Sequence, residues 1–321
     1  MIDTFNRLKN LLYKRKILVV GDLILDEYDY CHSIRLTPDE NKPVYDIDHI
    51  VYSLGGAANV AHNLVSFGSN VVLVGVIGED YEAEIFSKLL STININSGTV
   101  LIDKDRHTSI KTRILNNNEF LFRIDRENKA DISQRLISRI KNIVSQNLDK
   151  VDACIISDYQ KGLLSIDLCQ FIISAFIKKN KPVFVDPKGI NYSKYQGCTV
   201  IKPNQKELEA FTGGVYGNNI ENIKHAGENL FNQIKCKNVV ITIGSKGMLH
   251  VDELRVLHSP SCKAIKINAS GAGDTAISVI ALLFLHKSSW QEILTIANYF
   301  CSLVIQKYNT SVVVLSEIKD S

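Results

Sequence analysis

The later part of the chain alternates short apolar runs with longer segments of helical periodicity, and this alternation is the strongest constraint on the fold. The apolar runs cover 153–157, 182–185, 199–201 and 239–243. Strands that alternate with helices form parallel sheets joined by right-handed crossovers. The pattern therefore predicts an α/β fold with a doubly wound, mostly parallel sheet and helices on both faces.

Polar residues follow most of the predicted strands at their carboxyl ends. Asp22 follows a strand at 17–20, Asp158 follows 153–157, and Lys188 lies just beyond 182–185. Open α/β sheets bind ligands in a crevice at this edge. We therefore expect these side chains to line a binding site.

Two other segments, 27–52 and 108–125, differ from this pattern because their apolar residues alternate with polar ones. Three asparagines at 116–118 suit a hairpin turn, since Asn tolerates a positive φ. We predict a small inserted β-sheet that acts as a lid, a dimer surface or both. The chain has no internal repeat or long linker, so the prediction is one domain over residues 1–321.

Composition narrows the possible functions. The net charge of +3 is small and spread out, and no basic face interleaved with aromatics is found, so nucleic acid is not an expected partner. Seven cysteines without a CxxC pair argue against disulfides and structural zinc, which predicts a reducing, cytoplasmic location. Residues 1–16 contain no long apolar run, so neither a signal peptide nor a membrane anchor is expected, and residues 5–12 suit a helix packed on the body.

Gly271, Ala272 and Gly273 precede a strongly apolar segment and leave little side chain around Asp274. A Gly-rich turn that opens a buried helix offers free N–H groups and a positive dipole end to an anion. A carboxylate beside such a phosphate site suits a base that deprotonates an attacking hydroxyl. The alternative is an acidic residue that only complements the helix dipole.

Several other motifs are absent. The sequence contains no GxxxxGK[ST] and no GxGxxG after the first strand, which excludes a Walker-type nucleotide site and gives no support to a dinucleotide fold. It also lacks HExxH and the GxSxG elbow of esterases.

The remaining motifs occur in a fixed order across nearly the whole chain. They are a Gly-Asp strand end at 21–22, GGAAN at 55–59, PNxxE at 203–207, TxGxxG at 242–247 and GAGD at 271–274. Together they resemble the ribokinase-like carbohydrate kinases, also called the PfkB family. Further stretches, including RLTP at 35–38, KTR at 111–113, SDY at 157–159 and DPKG at 186–189, look like the D-glycero-β-D-manno-heptose-7-phosphate kinases.

The resemblance implies ATP and Mg²⁺ as cofactors and phosphoryl transfer to the anomeric oxygen of a sugar phosphate. Asp274 would be the general base, and Gly271, Ala272 and Gly273 would form the anion hole. Asn204 and Glu207 would place the nucleotide phosphates and Mg²⁺, with Glu207 acting through water. The resemblance also implies that Thr242, Gly244, Gly247 and Asn298 border the nucleotide.

The sugar side is assigned in the same way. The resemblance places Asp22, Gly55, Gly56 and Asn59 at the sugar hydroxyls. Asp158, Lys161 and Lys188 are expected along the same edge, and Lys111 and Arg123 are the candidates for the sugar-phosphate end. The resemblance further implies that the small sheet covers the sugar and pairs two copies into a homodimer.

One position departs from the family pattern, because Asn268 stands where Asp is usual. The loss of charge predicts weaker organisation of Mg²⁺ or of the nucleotide loop. The residues after Pro38, Asp39 to Lys42, are more polar than in the heptose kinases. Two rival hypotheses stay open: a kinase of the same fold for ribose, fructose phosphate or another heptose, and a non-catalytic sugar- or nucleotide-binding regulator. The chain ends at Ser321 and on this reading resembles the stand-alone kinase rather than the fusion with a nucleotidyltransferase found in many bacteria.

Overall fold

The computed structural model describes residues 15–217 and 219–314. The helix predicted within residues 5–12 lies outside these ranges. The described strands are β1 (Lys16–Gly21), β2 (Leu23–Leu36), β3 (Pro43–Gly56), β4 (Asn70–Ile77), β5 (Val100–Ile102), β6 (Ser109–Asn116), β7 (Glu119–Arg126), β8 (Ala153–Ser157), β9 (Val183–Asp186), β10 (Val200–Ile201), β11 (Asn238–Thr242), β12 (Met248–Val251) and β13 (Val256–Ser259).

The described α-helices connect these strands and cover the main sheet. They are α1 (Ala57–Ser66), α2 (Tyr81–Thr92), α3 (Gln134–Asn147), α4 (Ile166–Lys178), α5 (Gln205–Thr212), α6 (Ile220–Ile234), α7 (Ala272–Leu285) and α8 (Trp290–Val304).

The main sheet has the strand order β13-β12-β11-β10-β9-β8-β1-β4-β5. Strand β1 lies between β8 and β4 and is parallel to both. The mostly parallel, doubly wound sheet predicted from the sequence is therefore confirmed. At one edge β12 pairs antiparallel with β11, and β13 pairs antiparallel with β12. The sequence analysis did not predict these two strands. They are four residues long and each carries a histidine, so neither forms a clear apolar run.

Period-two alternation in the strands divides the core between the two faces of the sheet. In β1, Ile17 and Val19 pack in the cluster that includes residues of α1, α7 and α8. Leu18 and Val20 pack in the opposite cluster, with residues of α3, α4 and α6. With helices on both faces, the open edge at the carboxyl ends of the strands is where loops can form a site.

The two segments of alternating polarity form a second sheet, in the order β3-β2-β6-β7. Strands β2 and β3 pair antiparallel, as do β6 and β7, and β2 is parallel to β6 at the centre. Asp26 lies in β2, where it is buried and only 5% exposed. The division of the chain into one domain with an inserted lid stays a prediction.

Candidate active site

The N-terminus of α7 is built differently from those of most other helices. Asp80, Ser133 and Ser165 cap α2, α3 and α4 with their side chains. The N-cap residue of α7 is Gly271, which has φ of 84° and provides no side-chain cap. A Cβ at Gly271 would lie 2.9 Å from Asn59 Nδ2, so both the backbone conformation and the close approach favour glycine. First-turn N–H groups have no acceptor within the helix, so this uncapped turn can receive an anion.

Asp274 lies in the first turn of α7 and is buried. Its two carboxylate oxygens accept different hydrogen bonds: Asn59 Nδ2 donates to Oδ2 at 2.7 Å, and the Tyr159 hydroxyl donates to Oδ1 at 2.7 Å. Burial raises the pKa of Asp274 to about 6, and the hydrogen bonds from Asn59 and Tyr159 oppose that rise. A carboxylate with a pKa near neutrality is suited to accept a proton from a hydroxyl.

A buried ion pair lies directly beside this turn. Lys202 Nζ is 3.0 Å from Asp186 Oδ1, and both residues are at most 9% exposed. A Cβ built on Gly273 would be 3.5 Å from Lys202 Nζ and 3.8 Å from Asp186 Oδ2. Burial lowers the pKa of Lys202, but the carboxylates of Asp186, Glu207 and Asp274 together raise it by more, so the net shift is upward. The amine therefore places a positive charge next to the uncapped helix end.

Asn204 and Glu207 form a reciprocal capping box at the start of α5. Asn204 Oδ1 accepts from the Glu207 N–H, and Glu207 Oε2 accepts from the Asn204 N–H, both at 2.9 Å. The other oxygen of Glu207 accepts from Lys188 Nζ at 2.8 Å. The structure thus places Lys188 against Glu207, whereas the sequence analysis grouped it with the sugar-side residues.

Two cavities meet at the turn before α7. One of about 790 Å³ follows the carboxyl ends of the strands, and its lining includes Asp186, Lys202, Glu207 and Asp274. The other, of about 650 Å³, lies towards β12 and α8. Gly273 lines both cavities, so a ligand that fills either one reaches the helix end.

The predicted nucleotide-side residues are brought together at the 650 Å³ cavity. Thr242, Gly244, Gly247 and Asn298 all line it. Asn298 is buried and donates through Nδ2 to the carbonyl of Ser259 at 3.0 Å. Its amide group therefore holds the wall of the cavity in place, while Asn204 and Glu207 line the adjoining cavity.

The predicted sugar-hydroxyl residues lie on the other side of Asp274. Asp22 is buried, and its Oδ2 accepts from the N–H groups of Tyr159 at 2.8 Å and Lys161 at 3.1 Å. Burial, together with the charge of Asp158, raises the pKa of Asp22 to about 6. Asn59 Oδ1 is buried and has no hydrogen-bond partner among the described residues. An unpaired buried acceptor beside Asp274 is suited to a ligand hydroxyl.

Gly55 and Gly56 join β3 to α1 beside these residues. A Cβ at Gly55 would lie 2.6 Å from Asp26 Oδ2, so glycine permits that carboxylate to approach the chain. Asp26 in turn forms an ion pair with Arg113 at 2.7 Å. Gly55 therefore permits the close approach of Asp26 to the end of β3; neither glycine lines the 380 Å³, 650 Å³ or 790 Å³ cavity.

A third cavity, of about 380 Å³, lies between the small sheet and the loop before α7. Arg113, Arg123 and Lys266 line it together with Asn268 and Ser270. Three cationic side chains at a cavity that adjoins the helix end form a suitable place for a phosphate. We call this the cationic cavity.

Lys111 is not among the residues that line the cationic cavity. Its Nζ lies 2.7 Å from Asp125 Oδ2 and 3.4 Å from Glu127 Oε2. Arg123 also contacts Asp125, at 2.6 Å, but 46% of its side chain is exposed. Of the two residues predicted for the sugar-phosphate end, the structure brings only Arg123 to the cavity.

Asp158 and Lys161 are committed to contacts within the chain. Asp158 Oδ2 accepts from Tyr195 at 2.6 Å and forms an ion pair with Lys194. Lys161 pairs with Glu127. Asp158 lines the 790 Å³ cavity, but the side chains of Asp158 and Lys161 are almost fully buried. Their first role is therefore to stabilise the fold around the site.

Sequence analysis assigned no role to three residues that the structure places at the site: Tyr159, Asp186 and Lys202. Each lies at or just after a strand end, within two positions of a residue that was assigned. A rule that includes every polar residue after a parallel strand would have found Asp186 and Lys202. No local pattern indicates that the Tyr159 hydroxyl reaches a carboxylate 115 positions away.

Within residues 15–217 and 219–314, no three His, Cys, Asp or Glu side chains converge as they would around a metal ion. Mg²⁺ is usually held by one or two carboxylates together with substrate phosphates and water. Asp186 and Glu207 supply hard oxygen donors at the 790 Å³ cavity, so the residues present fit a nucleotide-borne Mg²⁺.

Comparison with known proteins places these features in context. Residues 14–316 match the family described as pfkB family carbohydrate kinase. The chain is 35% identical over 304 residues to the Bifunctional protein HldE of Helicobacter pylori strain J99, and 35% over 305 residues to that of Helicobacter acinonychis strain Sheeba. Each match covers 95% of this chain and 65% of the relative, so the chain spans somewhat less than two thirds of these relatives.

Solved structures of similar fold are also found. Phosphofructokinase-2 from Escherichia coli, in its tetrameric inhibited form, superposes with a TM-score of 0.75 at 20% identity, over 91% of this chain and 94% of that one. The ribokinase of Arabidopsis thaliana complexed with ribose and ATP gives 0.71 at 19% identity, over 92% and 93%. These superpositions establish the ribokinase-like fold.

Two further findings bear on the expectations from composition. All seven cysteines are free. None of the helices in the described part of the chain has the length and apolar character needed to cross a membrane.

Proposed function

Because the chain belongs to the pfkB family of carbohydrate kinases, we propose that it is an ATP-dependent sugar kinase that phosphorylates the anomeric hydroxyl of D-glycero-β-D-manno-heptose 7-phosphate. The product would be the 1,7-bisphosphate, a precursor for the lipopolysaccharide core. The observation that carries the proposal is the buried Asp274, which lies in the uncapped first turn of α7 and lines the 790 Å³ cavity.

In the proposed reaction the sugar hydroxyl oxygen forms a bond to the γ-phosphorus of ATP. The bond from that phosphorus to the bridging oxygen breaks, and ADP leaves with the electron pair. The proton of the hydroxyl passes to Asp274. Mg²⁺, bound with the nucleotide phosphates, would neutralise their charge. Of the three residues expected to form the anion hole, Ala272 donates its N–H to the Ala269 carbonyl at 3.4 Å. The first-turn N–H groups at Gly273 and Asp274 and the ammonium group of Lys202 would stabilise the transferring phosphoryl group.

Two observations support a phosphorylated sugar as the acceptor. The cationic cavity carries Arg113, Arg123 and Lys266 on the side of Asp274 that faces the small sheet. Asn59 Oδ1 has no hydrogen-bond partner among the described residues and lies beside the proposed base. A sugar whose hydroxyl meets Asp274 and whose phosphate meets the cationic cavity would use both features.

We also propose that two copies of the chain associate through the small sheet. Phe122 and Ile124 alternate with Arg123 in β7, and their side chains are 47% and 54% exposed. Ile47 and Ile50 in β3 are also exposed. Exposed apolar residues grouped on one sheet are typical of an interface. Light scattering after size exclusion would show a dimer, and Phe122→Glu would shift it towards monomer; a wild-type monomer at micromolar concentration would contradict the proposal.

The rival kinases and the regulator are separated by one experiment. ADP release is measured with ATP and Mg²⁺ in the presence of heptose 7-phosphate, fructose 6-phosphate, ribose or no sugar. We expect the highest kcat/KM for heptose 7-phosphate and at least about a tenfold advantage over ribose, because one lost charge-assisted hydrogen bond costs about 1.5–3 kcal/mol. A preference for ribose would contradict the proposed substrate. Sugar binding without ADP release would support the regulator.

A further inference from the structure

One loop residue contacts two of the buried carboxylates at the site. Tyr159 follows β8, and its hydroxyl donates to Asp274 Oδ1 at 2.7 Å, while its backbone N–H donates to Asp22 Oδ2 at 2.8 Å. Asp22 belongs to the turn after β1, and Asp274 belongs to the first turn of α7. The two carboxylates are therefore held by the same rigid residue from two sides.

The loop that carries Tyr159 is itself tightly fixed. Gln160 has φ of 55°, and its N–H donates to Asp158 Oδ1 at 2.7 Å. Gly162 has φ of 82°, and a Cβ there would lie 1.8 Å from the Ala130 carbonyl oxygen. A positive φ at a residue other than glycine, as at Gln160, persists only when its surroundings enforce it. The direction of the Tyr159 ring is consequently set by the fold.

We propose that Tyr159 is the positioning residue of the phosphoryl-transfer step, which holds the carboxylate of Asp274 in the orientation needed to accept the proton of the sugar hydroxyl. The inference rests on the proposed role of Asp274 as the base. Tyr159 keeps its own proton throughout the step, because burial and the nearby Asp274 carboxylate raise the pKa of the phenol well above its usual range. The only proton that moves is the one from the sugar hydroxyl to Asp274.

A hydrogen bond to a carboxylate stabilises its charged form and lowers its pKa. Tyr159 therefore opposes the effect of burial on Asp274, together with Asn59 from α1 and Lys202 from the end of β10. Asp26 from β2 acts in the opposite direction. The fourth group near this pair is Asp186 at the end of β9, whose carboxylate also raises the pKa of Tyr159.

The test is Tyr159→Phe, which removes the hydroxyl but keeps the ring and the N–H bond to Asp22. The matched control is Tyr195→Phe, because Tyr195 is buried and likewise donates to a carboxylate, Asp158, at 2.6 Å. Far-UV circular dichroism and thermal unfolding establish that each variant folds. The pKa of Asp274 is followed by NMR of carboxyl-labelled aspartate, with the resonance assigned by its loss in Asp274→Asn.

In Tyr159→Phe we expect the titration midpoint of Asp274 to rise by about one pH unit, because one hydrogen bond to a charged group is worth about one unit of pKa. The acid limb of the kcat profile should move to higher pH by the same amount. At pH 7.5, kcat should fall at least about tenfold, whereas the KM for ATP should stay within about twofold of wild type. Tyr195→Phe should leave the midpoint and the acid limb in place.

The outcomes separate this inference from the proposed function. An unchanged Asp274 midpoint in Tyr159→Phe would overturn the positioning role, whatever the substrate. A shifted midpoint with wild-type kcat, while Asp274→Asn abolishes turnover, would also overturn it and leave the kinase assignment intact. If the wild type phosphorylates no sugar, the proposed function fails, and the midpoint still decides whether Tyr159 controls the ionisation of Asp274.

Discussion

The amide of Asn59 donates a hydrogen bond of 2.7 Å to Asp274 Oδ2, which joins helix α1 to the N-terminus of α7 across 215 positions of sequence. The contact connects the two most glycine-rich motifs of the chain. It also directs the unpaired Asn59 Oδ1 to the immediate surroundings of the proposed base. A sugar that binds between these residues would meet the acceptor and the base together.

Asp274→Asn should bind ATP with affinity close to wild type and lose kcat by about 10²–10⁴, because the amide cannot accept the proton. Turnover is measured by ADP release, and binding by calorimetry. The matched control is Asp167→Asn, since Asp167 is also in the first turn of a helix but lies on the surface and pairs with Lys141. Near-wild-type turnover in Asp274→Asn would remove Asp274 from the role of base.

The pH dependence of kcat should show an acid limb near pH 6, because the base acts only when ionised and burial raises the pKa of Asp274 to about 6. Turnover should fall about tenfold per pH unit below that limb. Stability depends on pH in the opposite direction. The pKa of Asp274 in the folded protein lies above the ordinary value of 3.8, so the contribution of this carboxyl to the free energy of unfolding is lost as the pH rises through about 6.

The substrate phosphate and Asp22 also titrate near pH 6, so the control for this prediction is the residual turnover of Asp274→Asn. That turnover should lack the acid limb. If the limb persists there, the titrating group is not Asp274.

Lys202→Met should lower both stability and turnover. Removal of one partner from a buried ion pair costs about 3–5 kcal/mol, because the Asp186 carboxylate is left buried and unpaired. Lys202→Met combined with Asp186→Asn should recover most of the free energy of unfolding but not kcat. Denaturant unfolding and ADP release measure the two effects, and full recovery of kcat in the double variant would show that the pair is only structural.

Asn268→Asp should destabilise the loop before α7 by about 1 kcal/mol. Asn268 Nδ2 donates to the Tyr308 carbonyl at 2.8 Å, and its Oδ1 accepts from the Ser270 N–H at 2.9 Å. A carboxylate keeps the second bond, loses the first and repels the carbonyl.

The matched control is Asn147→Asp, which removes a similar bond to the Ile143 carbonyl at 2.8 Å in a remote helix. Both variants should lose stability in thermal unfolding, but only Asn268→Asp should raise the KM for the sugar phosphate, because Asn268 lines the cationic cavity. A gain in kcat on introducing the aspartate would favour the sequence-based expectation that Asn268 weakens the site.

Arg123→Ala should raise the KM for the sugar phosphate at least about tenfold, through loss of a charge-assisted contact in the cationic cavity. The KM for ATP should stay within about twofold. Arg126→Ala is the control, because Arg126 lies in the same strand and also pairs with a carboxylate, Glu82, but does not line the cationic cavity. Equal effects of the two substitutions on the sugar-phosphate KM would argue against the cavity as the phosphate site.

The sequence by itself determined the architecture and the main motifs, because both depend on local patterns. Apolar runs separated by amphipathic segments specify parallel strands and their helices, and the order of the glycine motifs indicated the family. The turn at Gly271–Asp274 was recognisable because its small residues are consecutive in the sequence and directly precede an apolar helix. The four-residue strands β12 and β13 were too short to give such a pattern.

Only the tertiary structure decided which polar side chains are available at the site. Lys111 and Arg123 look equivalent in sequence, but Lys111 is held by Asp125 and Glu127 whereas Arg123 reaches the cationic cavity. Tyr159 became a candidate only when its hydroxyl was seen on Asp274. Such contacts join strand ends far apart in the chain, and sheet order and side-chain burial, which are long-range properties, determine which groups meet.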